Sequence, residues 1–205
     1  MNHDMTLYLV TEESVPLNSL LKVVSQAIQG GVTIVQLREK NSSGKKFYEK
    51  AKALKKLLDS YDIPLIINDR IDIAIAINAA GVHIGQTDLP LEIVKRMVPK
   101  QFIIGVSAGT LEEAKNAERD GATYIGVGSV FPTGTKGDAK LLPHGVLEEI
   151  TKAVSIPVVA IGGIALANVD TLQHTGIAGV AVVSAIMKAN KPTLVAEKFL
   201  EKIKQ

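Results

Sequence analysis

The side chains capable of chemistry stand in short polar segments, each of which follows an apolar run of strand type. In the clearest segment an amide, an arginine and a lysine alternate, as Gln36, Arg38 and Lys40. Alternation in an extended chain places these three side chains on one side. Arginine binds phosphate oxygens through two N–H groups and lysine adds a point charge, so the segment predicts a polyphosphate site. A solvated strand end is the competing interpretation.

Two carboxylates follow the next two apolar runs. Asp69 comes directly after Asn68, and Asp88 lies shortly after the run that ends at Gly85. Each precedes a segment with helical spacing, where aspartate commonly acts as a helix N-cap. Beside a diphosphate the pair would instead suit Mg²⁺, which takes one or two carboxylates together with phosphate oxygens and waters. The sequence leaves capping and metal binding both open.

A segment rich in glycine and hydroxyl groups, residues 126–138, follows the sixth run and contains Thr133, Thr135 and Lys136. A mobile loop would explain its composition. A lysine near the active end of a fold is better explained by an anionic substrate, so we predict that the loop closes over that substrate as a lid.

The last two apolar runs end in Gly162-Gly163 and in Ser184. Glycine lets backbone N–H groups approach phosphate oxygens closely, although a plain turn is the alternative for the pair. Together these residues predict a second anion site, separate from the first. Two anion sites in turn predict two phosphorylated substrates that are joined between them.

These segments must be positioned by a repeating framework of strands and helices. Eight apolar, β-branched runs alternate with amphipathic stretches, which is typical of a parallel sheet buried on both faces. Eight such units favour a closed (β/α)₈ TIM barrel over an open sheet, and active sites of these barrels lie at the carboxyl ends of the strands. We predict one α/β domain over residues 1–205. The predicted strands are Leu7–Thr11, Thr33–Arg38, Leu65–Asn68, Val82–Gly85, Phe102–Ser107, Tyr124–Val130, Pro157–Gly163 and Gly179–Ser184.

Composition removes several classes of function. The 205 residues include no cysteine and 4% aromatic residues, and the formal net charge is +2. This excludes disulfides, thiolate metal sites and a thiol nucleophile, and it argues against nucleic-acid binding. There is no apolar stretch of the ~20 residues that a membrane span needs and no export signal, so we expect a cytoplasmic protein without membrane contact. No Ser-His-Asp set is apparent, and His83, inside a strand, is expected to be a hydrogen-bonded core residue.

Six of these segments, taken in order, resemble the thiamine-phosphate synthase family. Each is weak alone, but six with the right spacing are specific. The resemblance implies a (β/α)₈ barrel that couples hydroxymethylpyrimidine diphosphate to a thiazole phosphate, with one Mg²⁺ per subunit. It implies release of pyrophosphate, and of CO₂ when the thiazole is carboxylated. The segments are Val35–Lys40, Ile67–Arg70, Gly81–Asp88, Gly105–Ser107, Phe131–Lys136 and Ala160–Ile164.

The resemblance also implies a role for each matching residue. The catalytic residues would be Arg38, Lys40, Ser107 and Lys136. The metal would be bound by Asp69 and Asp88. The pyrimidine diphosphate would be bound by Gln36, Leu37, Arg38, Glu39, Lys40, Asn68, Ser107 and Lys136. The thiazole phosphate would be bound by Thr133, Gly134, Thr135, Gly163, Val183 and Ser184.

Two alternatives remain. One is a thiazole tautomerase of the same superfamily, against which Gly109 argues, because those relatives use a histidine in that loop. The other is a non-catalytic sensor of phosphorylated ligands, which would be expected to lose one of the charged clusters. The sequence does not set the oligomeric state, and a homo-oligomer stays open.

Overall fold

Eight parallel strands close into a barrel in sequence order, with β1 hydrogen-bonded to both β2 and β8. The computed structural model describes residues 3–13, 15–134 and 140–204. The predicted (β/α)₈ barrel is confirmed. The strands are β1 Leu7–Val10, β2 Ile34–Leu37, β3 Leu65–Asn68, β4 Gly81–Ile84, β5 Ile103–Ala108, β6 Tyr124–Val127, β7 Val158–Ile161 and β8 Gly179–Val182.

Helices follow the strands and cover the outside of the barrel. The connection after β7 holds a short 3-10 helix, Val169–Leu172, and two helices follow β8. None of the helices in the described ranges is both long and apolar enough to cross a membrane. The helices are α1 Leu17–Gln29, α2 Gly44–Asp59, α3 Ile71–Ala76, α4 Leu91–Met97, α5 Leu111–Asp120, α6 Val146–Ala153, α7 Ser184–Met187 and α8 Pro192–Ile203.

Several strands end earlier than the sequence predicted, most clearly β6, which stops at Val127 rather than Val130. The cause is the returning chain, because the Ser129 amide donates to the Lys140 carbonyl at 3.1 Å and the Leu142 amide donates to the Ser129 carbonyl at 2.8 Å. Ser129 therefore pairs with the returning loop, whereas the Val130 and Phe131 amides donate to the carbonyls of Ile161 and Gly162 at the end of β7, at 3.0 and 3.1 Å. This turns the segment that contains Thr133 towards the carboxyl end of β7.

Alternate strand residues divide the core into two layers, since successive side chains point to opposite faces of a strand. Tyr8, Ile34, Ile66 and Tyr124 point into the barrel, where they form one buried cluster. Their neighbours along each strand, such as Leu9 and Val35, pack outwards against the helices. Burial on both faces explains why the strands read as continuous apolar runs, as predicted.

Helix α2 illustrates how the outer layer is held. Its buried residues Phe47, Ala51, Leu54 and Leu58 recur at helical spacing along one face, and Ser43 caps its first turn by accepting from the Lys46 amide at 3.4 Å. The helix packs beside the β2 end of the barrel mouth. Lys50 of this helix pairs with Glu39 in the loop that follows β2.

Truncation of Phe47 tests this packing. Phe47 is fully buried, whereas its neighbour Tyr48 is 36% exposed. We expect Phe47→Ala to lower the free energy of unfolding by about 3–5 kcal/mol, because it leaves a cavity between helix and barrel. Tyr48→Ala, the matched control, should cost far less. Denaturant unfolding measures both, and equal losses would contradict the proposed packing.

Candidate active site at the barrel mouth

A chain of hydrogen bonds from five strands forms a polar layer beneath the barrel mouth. Gln36 Nε2 donates to the Tyr8 hydroxyl at 2.9 Å, and this hydroxyl lies 2.7 Å from that of Tyr124. The Tyr124 hydroxyl lies 2.9 Å from His83 Nδ1, and His83 Nε2 lies 2.9 Å from Ser107 Oγ. Two predicted site residues, Gln36 and Ser107, are thus linked through groups that the sequence did not assign to the site.

One order of protons satisfies every member of this layer. The Gln36 amide donates to Tyr8, Tyr8 to Tyr124, and Tyr124 to His83 Nδ1, which leaves the His83 proton on Nε2 to donate to Ser107. Both ring nitrogens of His83 have partners, as predicted from its place inside a strand. Because each group fixes the next, the layer is a rigid floor for the mouth.

Glycines make room for the two rings at the centre of the floor. A β-carbon on Gly105 would lie 2.2 Å from Cζ of Tyr124, and one on Gly126 would lie 3.2 Å from Cε1 of His83. The Tyr124 ring is tilted against both neighbouring rings, 5.9 Å from that of Tyr8 and 5.5 Å from that of His83 between centroids. Small residues on β5 and β6 are therefore needed for the polar chain to form.

Burial keeps the floor uncharged. It raises the pKa of Tyr8 well above its ordinary value of 10.0, against smaller opposing effects of the hydrogen bonds that Tyr8 shares with Tyr124 and Gln36. It also raises the pKa of Tyr124, and Tyr8 raises it further. Both phenols remain neutral hydrogen-bonding groups at any pH at which an enzyme works.

The charged part of the mouth lies above β2, β3 and β4. Strand β2 ends at Leu37, so Arg38 and Lys40 are placed by the loop that follows and not by strand alternation. Lys40 forms an ion pair with Asp69, and the Asp88 carboxyl lies near enough to raise the pKa of Asp69. Burial raises the pKa of Asp69, Lys40 opposes the shift, and the like charge of Asp88 adds to it.

The capping interpretation of the two aspartates is wrong. The N-cap positions of α3 and α4 are occupied by Arg70 and Pro90. Asp69 has a positive φ of 60°, which turns the chain sharply after β3 and leaves its carboxylate beside Lys40. Asp88 Oδ2 accepts from the Gly85 amide at 2.7 Å, which closes the turn after β4. Both carboxylates are held at the mouth instead of at helix starts.

Asp69 and Asp88 alone supply only some of the ligands that the expected Mg²⁺ ion needs. No three histidine, aspartate or glutamate side chains gather at a common point within the described residues. Two adjacent carboxylates repel each other, which a cation between them would relieve. Mg²⁺ commonly binds in this way, with the remaining ligands supplied by substrate phosphate and water. The donor set therefore fits Mg²⁺ bound together with a phosphorylated ligand.

The remaining predicted diphosphate contacts divide into two groups. Asn68, like Gln36, is buried at the end of its strand, at the floor of the mouth. The Leu37 side chain is fully buried in the outer layer against the helices. The Glu39 side chain is also buried and pairs with Lys50 on α2. Strand alternation turns the Leu37 side chain away from the mouth, and the ion pair with Lys50 holds the Glu39 side chain away from it. Lys136, with Thr135, lies outside the described residues.

Across the mouth lies a cavity of about 590 Å³ that gathers most of the predicted phosphate residues. Gly163 has a positive φ of 64°, and a β-carbon there would lie 2.5 Å from the Pro132 carbonyl oxygen. Glycine therefore lets the loops after β6 and β7 meet as one wall. Val183 is the N-cap residue of α7, and Ser184 is the first residue of that helix. The cavity is lined by Glu12, Pro132, Thr133, Gly134, Gly163, Ile164, Ala165, Ser184, Ala185 and Lys188.

Sequence reasoning missed two charged residues of this cavity. Lys188 Nζ lies 3.1 Å from Glu12 Oε1, and Lys188 is the one cation among the described residues that line the cavity. The available signal was spacing, since Lys188 lies one helical turn after Ser184 and Glu12 directly follows the first strand run. A cation at this position would attract an anionic ligand.

A closed parallel barrel with two anion-suited sites at the carboxyl ends of its strands defines a class, the (β/α)₈ barrels that act on phosphorylated small molecules. Within that class the chain belongs to the thiamine monophosphate synthase family, whose sequence profile matches residues 7–186. The family resemblance seen in the sequence is thereby confirmed.

Named relatives cover nearly the whole chain. Thiamine-phosphate synthase of Clostridium tetani is 55% identical over 187 residues, which is 91% of this chain and 90% of that protein. The protein of the same name from Methanobrevibacter smithii is 49% identical over 203 residues, 99% of this chain and 97% of its own. Among solved structures, thiamine phosphate pyrophosphorylase from Pyrococcus furiosus matches with a TM-score of 0.88 and 38% identity, covering 98% of this chain and 96% of that one.

The buried phenols predict how stability depends on pH. Above pH 10.0 the unfolded tyrosines ionise, whereas the folded Tyr8 and Tyr124 keep their protons. The stability that they contribute is complete below pH 10.0 and is lost as pH rises further. We expect the free energy of unfolding to begin to fall at about pH 10 and to go on falling as pH rises further. Denaturant unfolding at several pH values measures this fall.

The chain offers a matched control, because its other two tyrosines, Tyr48 and Tyr61, are exposed. Replacing Tyr8 and Tyr124 by phenylalanine should flatten the alkaline fall in stability. The same replacement at Tyr48 and Tyr61 should leave it unchanged. An identical pH dependence in both double variants would show that the two buried phenols do not cause it.

Proposed function

We propose that this protein is a Mg²⁺-dependent thiamine-phosphate synthase of the cytoplasm. It transfers the hydroxymethylpyrimidine group from its diphosphate to a thiazole phosphate, giving thiamine monophosphate and pyrophosphate, with CO₂ when the thiazole is carboxylated. The observation that carries the proposal is the pair of anion sites on one mouth, one with cations and paired carboxylates and one with glycine-lined walls. Both substrates are multiply charged, so they would be retained within the cytoplasm.

The diphosphate binds on the side of β2, β3 and β4 in this proposal. Arg38 and Lys40 contact its oxygens, and Asp69 and Asp88 hold the metal that accompanies it. Lys40 and Asp69 lie side by side as an ion pair. In this proposal Lys40 contacts the diphosphate and Asp69 contacts the metal next to it. When bound, Mg²⁺ would neutralise charge on the departing pyrophosphate.

The pyrimidine ring binds over the polar floor. A substituted aminopyrimidine has hydrogen-bond donors and acceptors around its edge, and Gln36, Asn68 and Ser107 carry complementary groups. The floor is neutral and rigid, since its phenols keep their protons and each member is fixed by the next. It would therefore orient the ring without supplying a competing charge or a nucleophile.

Transfer breaks the bond between the pyrimidine methylene carbon and the diphosphate oxygen, and pyrophosphate leaves with the electron pair. The thiazole nitrogen then donates its lone pair to that carbon, so a carbon–nitrogen bond replaces the carbon–oxygen bond. Arg38 and Lys40, joined by Lys136, stabilise the charge of the leaving group. No covalent intermediate with the protein is needed, which suits a chain without cysteine.

The thiazole phosphate binds in the cavity across the mouth. Backbone N–H groups near Gly163 and Ser184 face its oxygens in this proposal, with Thr133 and Gly134 on the adjacent wall and Val183 next to Ser184. Thr135 is proposed as a further contact on the family resemblance alone. Lys188 could contact the phosphate from this cavity if it exchanges its present ion pair with Glu12 for the ligand. Anchoring the phosphate there would leave the thiazole ring directed towards the pyrimidine.

The named relatives are synthases, which favours this activity over the tautomerase alternative. The intact cation and carboxylate cluster supports the same choice, because an isomerase has no pyrophosphate to release. The same cluster disfavours a non-catalytic sensor. The decisive experiment follows pyrophosphate release by purified protein with pyrimidine diphosphate, Mg²⁺ and either thiazole phosphate. No release with either acceptor would refute the synthase function.

Removal of one charge from the diphosphate site should lower turnover sharply. We expect Asp69→Asn and Lys136→Ala each to lower kcat/KM by about 10²-fold or more. The first would weaken binding of the metal, and the second removes a cation that stabilises the departing pyrophosphate. Circular dichroism should show an intact fold in both variants. Lys115→Ala, on the exposed face of α5, is the control and should retain wild-type activity. Normal turnover in either site variant would remove that residue from the mechanism.

A further inference from the structure

The loop between β2 and α2 carries both cations of the proposed diphosphate site on a backbone that is bonded at several points. The Arg38 amide donates to Thr11 Oγ1 at 3.1 Å. The Asn41 amide donates to Glu13 Oε1 at 2.6 Å, and its side-chain amide donates to Glu13 Oε2 at 3.1 Å. Desolvation tends to raise the pKa of Glu13. The hydrogen bonds from Asn41, together with the Lys40 amide, outweigh this effect and lower the pKa. Residues after β1 thus hold the loop from one side.

A buried ion pair holds the same loop from the other side. Lys50 of α2 pairs with Glu39, and the two side chains are only 12% and 2% exposed. Ser42 Oγ donates to Glu39 Oε2 at 2.5 Å, and Lys50 Nζ also donates to the Glu13 carbonyl oxygen at 3.2 Å. Lys50 is therefore the point at which helix α2, the loop and the residues after β1 meet.

The position of Glu39 argues against a direct role in binding an anion. Its carboxylate is buried, both oxygens have partners, and a carboxylate facing a diphosphate would repel it. A buried ion pair adds little net stability relative to apolar packing, but the loss of one partner leaves an uncompensated charge. The pair therefore acts mainly by fixing the geometry of the loop.

We propose that Lys50 is a positioning residue for the diphosphate site. Through Glu39 and Glu13 it holds the loop so that Arg38 and Lys40 face the ligand, and Glu39 is an anchor of the loop instead of a ligand contact. The identity of the ligand as a diphosphate rests on the proposed function.

The test compares two lysines of the same helix. Lys50→Met keeps the aliphatic stem and removes the charge, and Lys50→Arg restores a cation. The control is Lys55→Met, which breaks the exposed pair between Lys55 and Asp59. Calorimetry measures binding of inorganic pyrophosphate with Mg²⁺, steady-state kinetics gives KM for each substrate, and hydrogen exchange reports on the amides of Lys40 and Asn41.

We expect Lys50→Met to weaken pyrophosphate binding about tenfold or more, since small displacements of positioned groups have large effects. KM for the pyrimidine diphosphate should rise, KM for the thiazole phosphate should stay constant, and exchange of the loop amides should become faster. Lys50→Arg should recover most of the affinity, and Lys55→Met should match wild type. A merely structural role would lower stability while leaving pyrophosphate affinity and the contrast between the two KM values unchanged.

A second variant keeps the inference testable if Lys50→Met fails to fold. Glu39→Gln retains an acceptor for Ser42 but loses the ion pair, so it should weaken pyrophosphate binding as well. Unchanged or stronger binding in a folded Lys50→Met or Glu39→Gln protein overturns the inference, and so does a wild-type protein that does not bind pyrophosphate. Wild-type protein that binds pyrophosphate without turnover, with weaker binding in Lys50→Met, refutes the synthase function alone.

Discussion

Hydrogen bonding between β1 and β8 is the constraint on which both proposed sites depend. The register that pairs Leu7 with Val180 and Leu9 with Val182 closes the sheet, so all eight carboxyl ends surround one mouth. In an open sheet, β1 and β8 would lie at opposite edges, and the glycine-lined cavity would be far from the cation-bearing loop. Closure thus turns two ordinary anion sites into a pair that can hold two reactants in contact.

The interior layer depends on the same closure and on strand register. Its five hydrogen-bonded groups come from five strands, and each points inwards only because strand residues alternate between the two faces. A slip of one residue in β2 or β4 would turn Gln36 or His83 into the apolar outer layer. The cost of burying these polar groups is offset only when every partner is in place, which ties the floor to one arrangement of the barrel.

The sequence was sufficient for the fold because two-sided burial imposes an apolar run on every strand, and eight such runs with intervening helices admit few topologies. The strand ends were less predictable, since Ser129 pairs with the returning loop before Val130 and Phe131 bond to the end of β7. The aspartate caps were wrong because α3 begins at Ile71 and α4 at Leu91, so that Arg70 and Pro90 take the N-cap positions. Lys50 and Lys188 were missed because their partners, Glu39 and Glu12, lie on other elements, and no local pattern records such contacts.

The three residues after β1 divide their contacts between the two halves of the mouth. Thr11 and Glu13 bond the loop that carries Arg38, whereas Glu12 pairs with Lys188 in the cavity opposite. Residues 11–13 therefore contact both halves of the mouth, but each of the three side chains contacts only one half. Because these contacts are separate, a substitution at Glu12 would alter the cavity while leaving in place the bonds by which Thr11 and Glu13 hold the loop that carries Arg38.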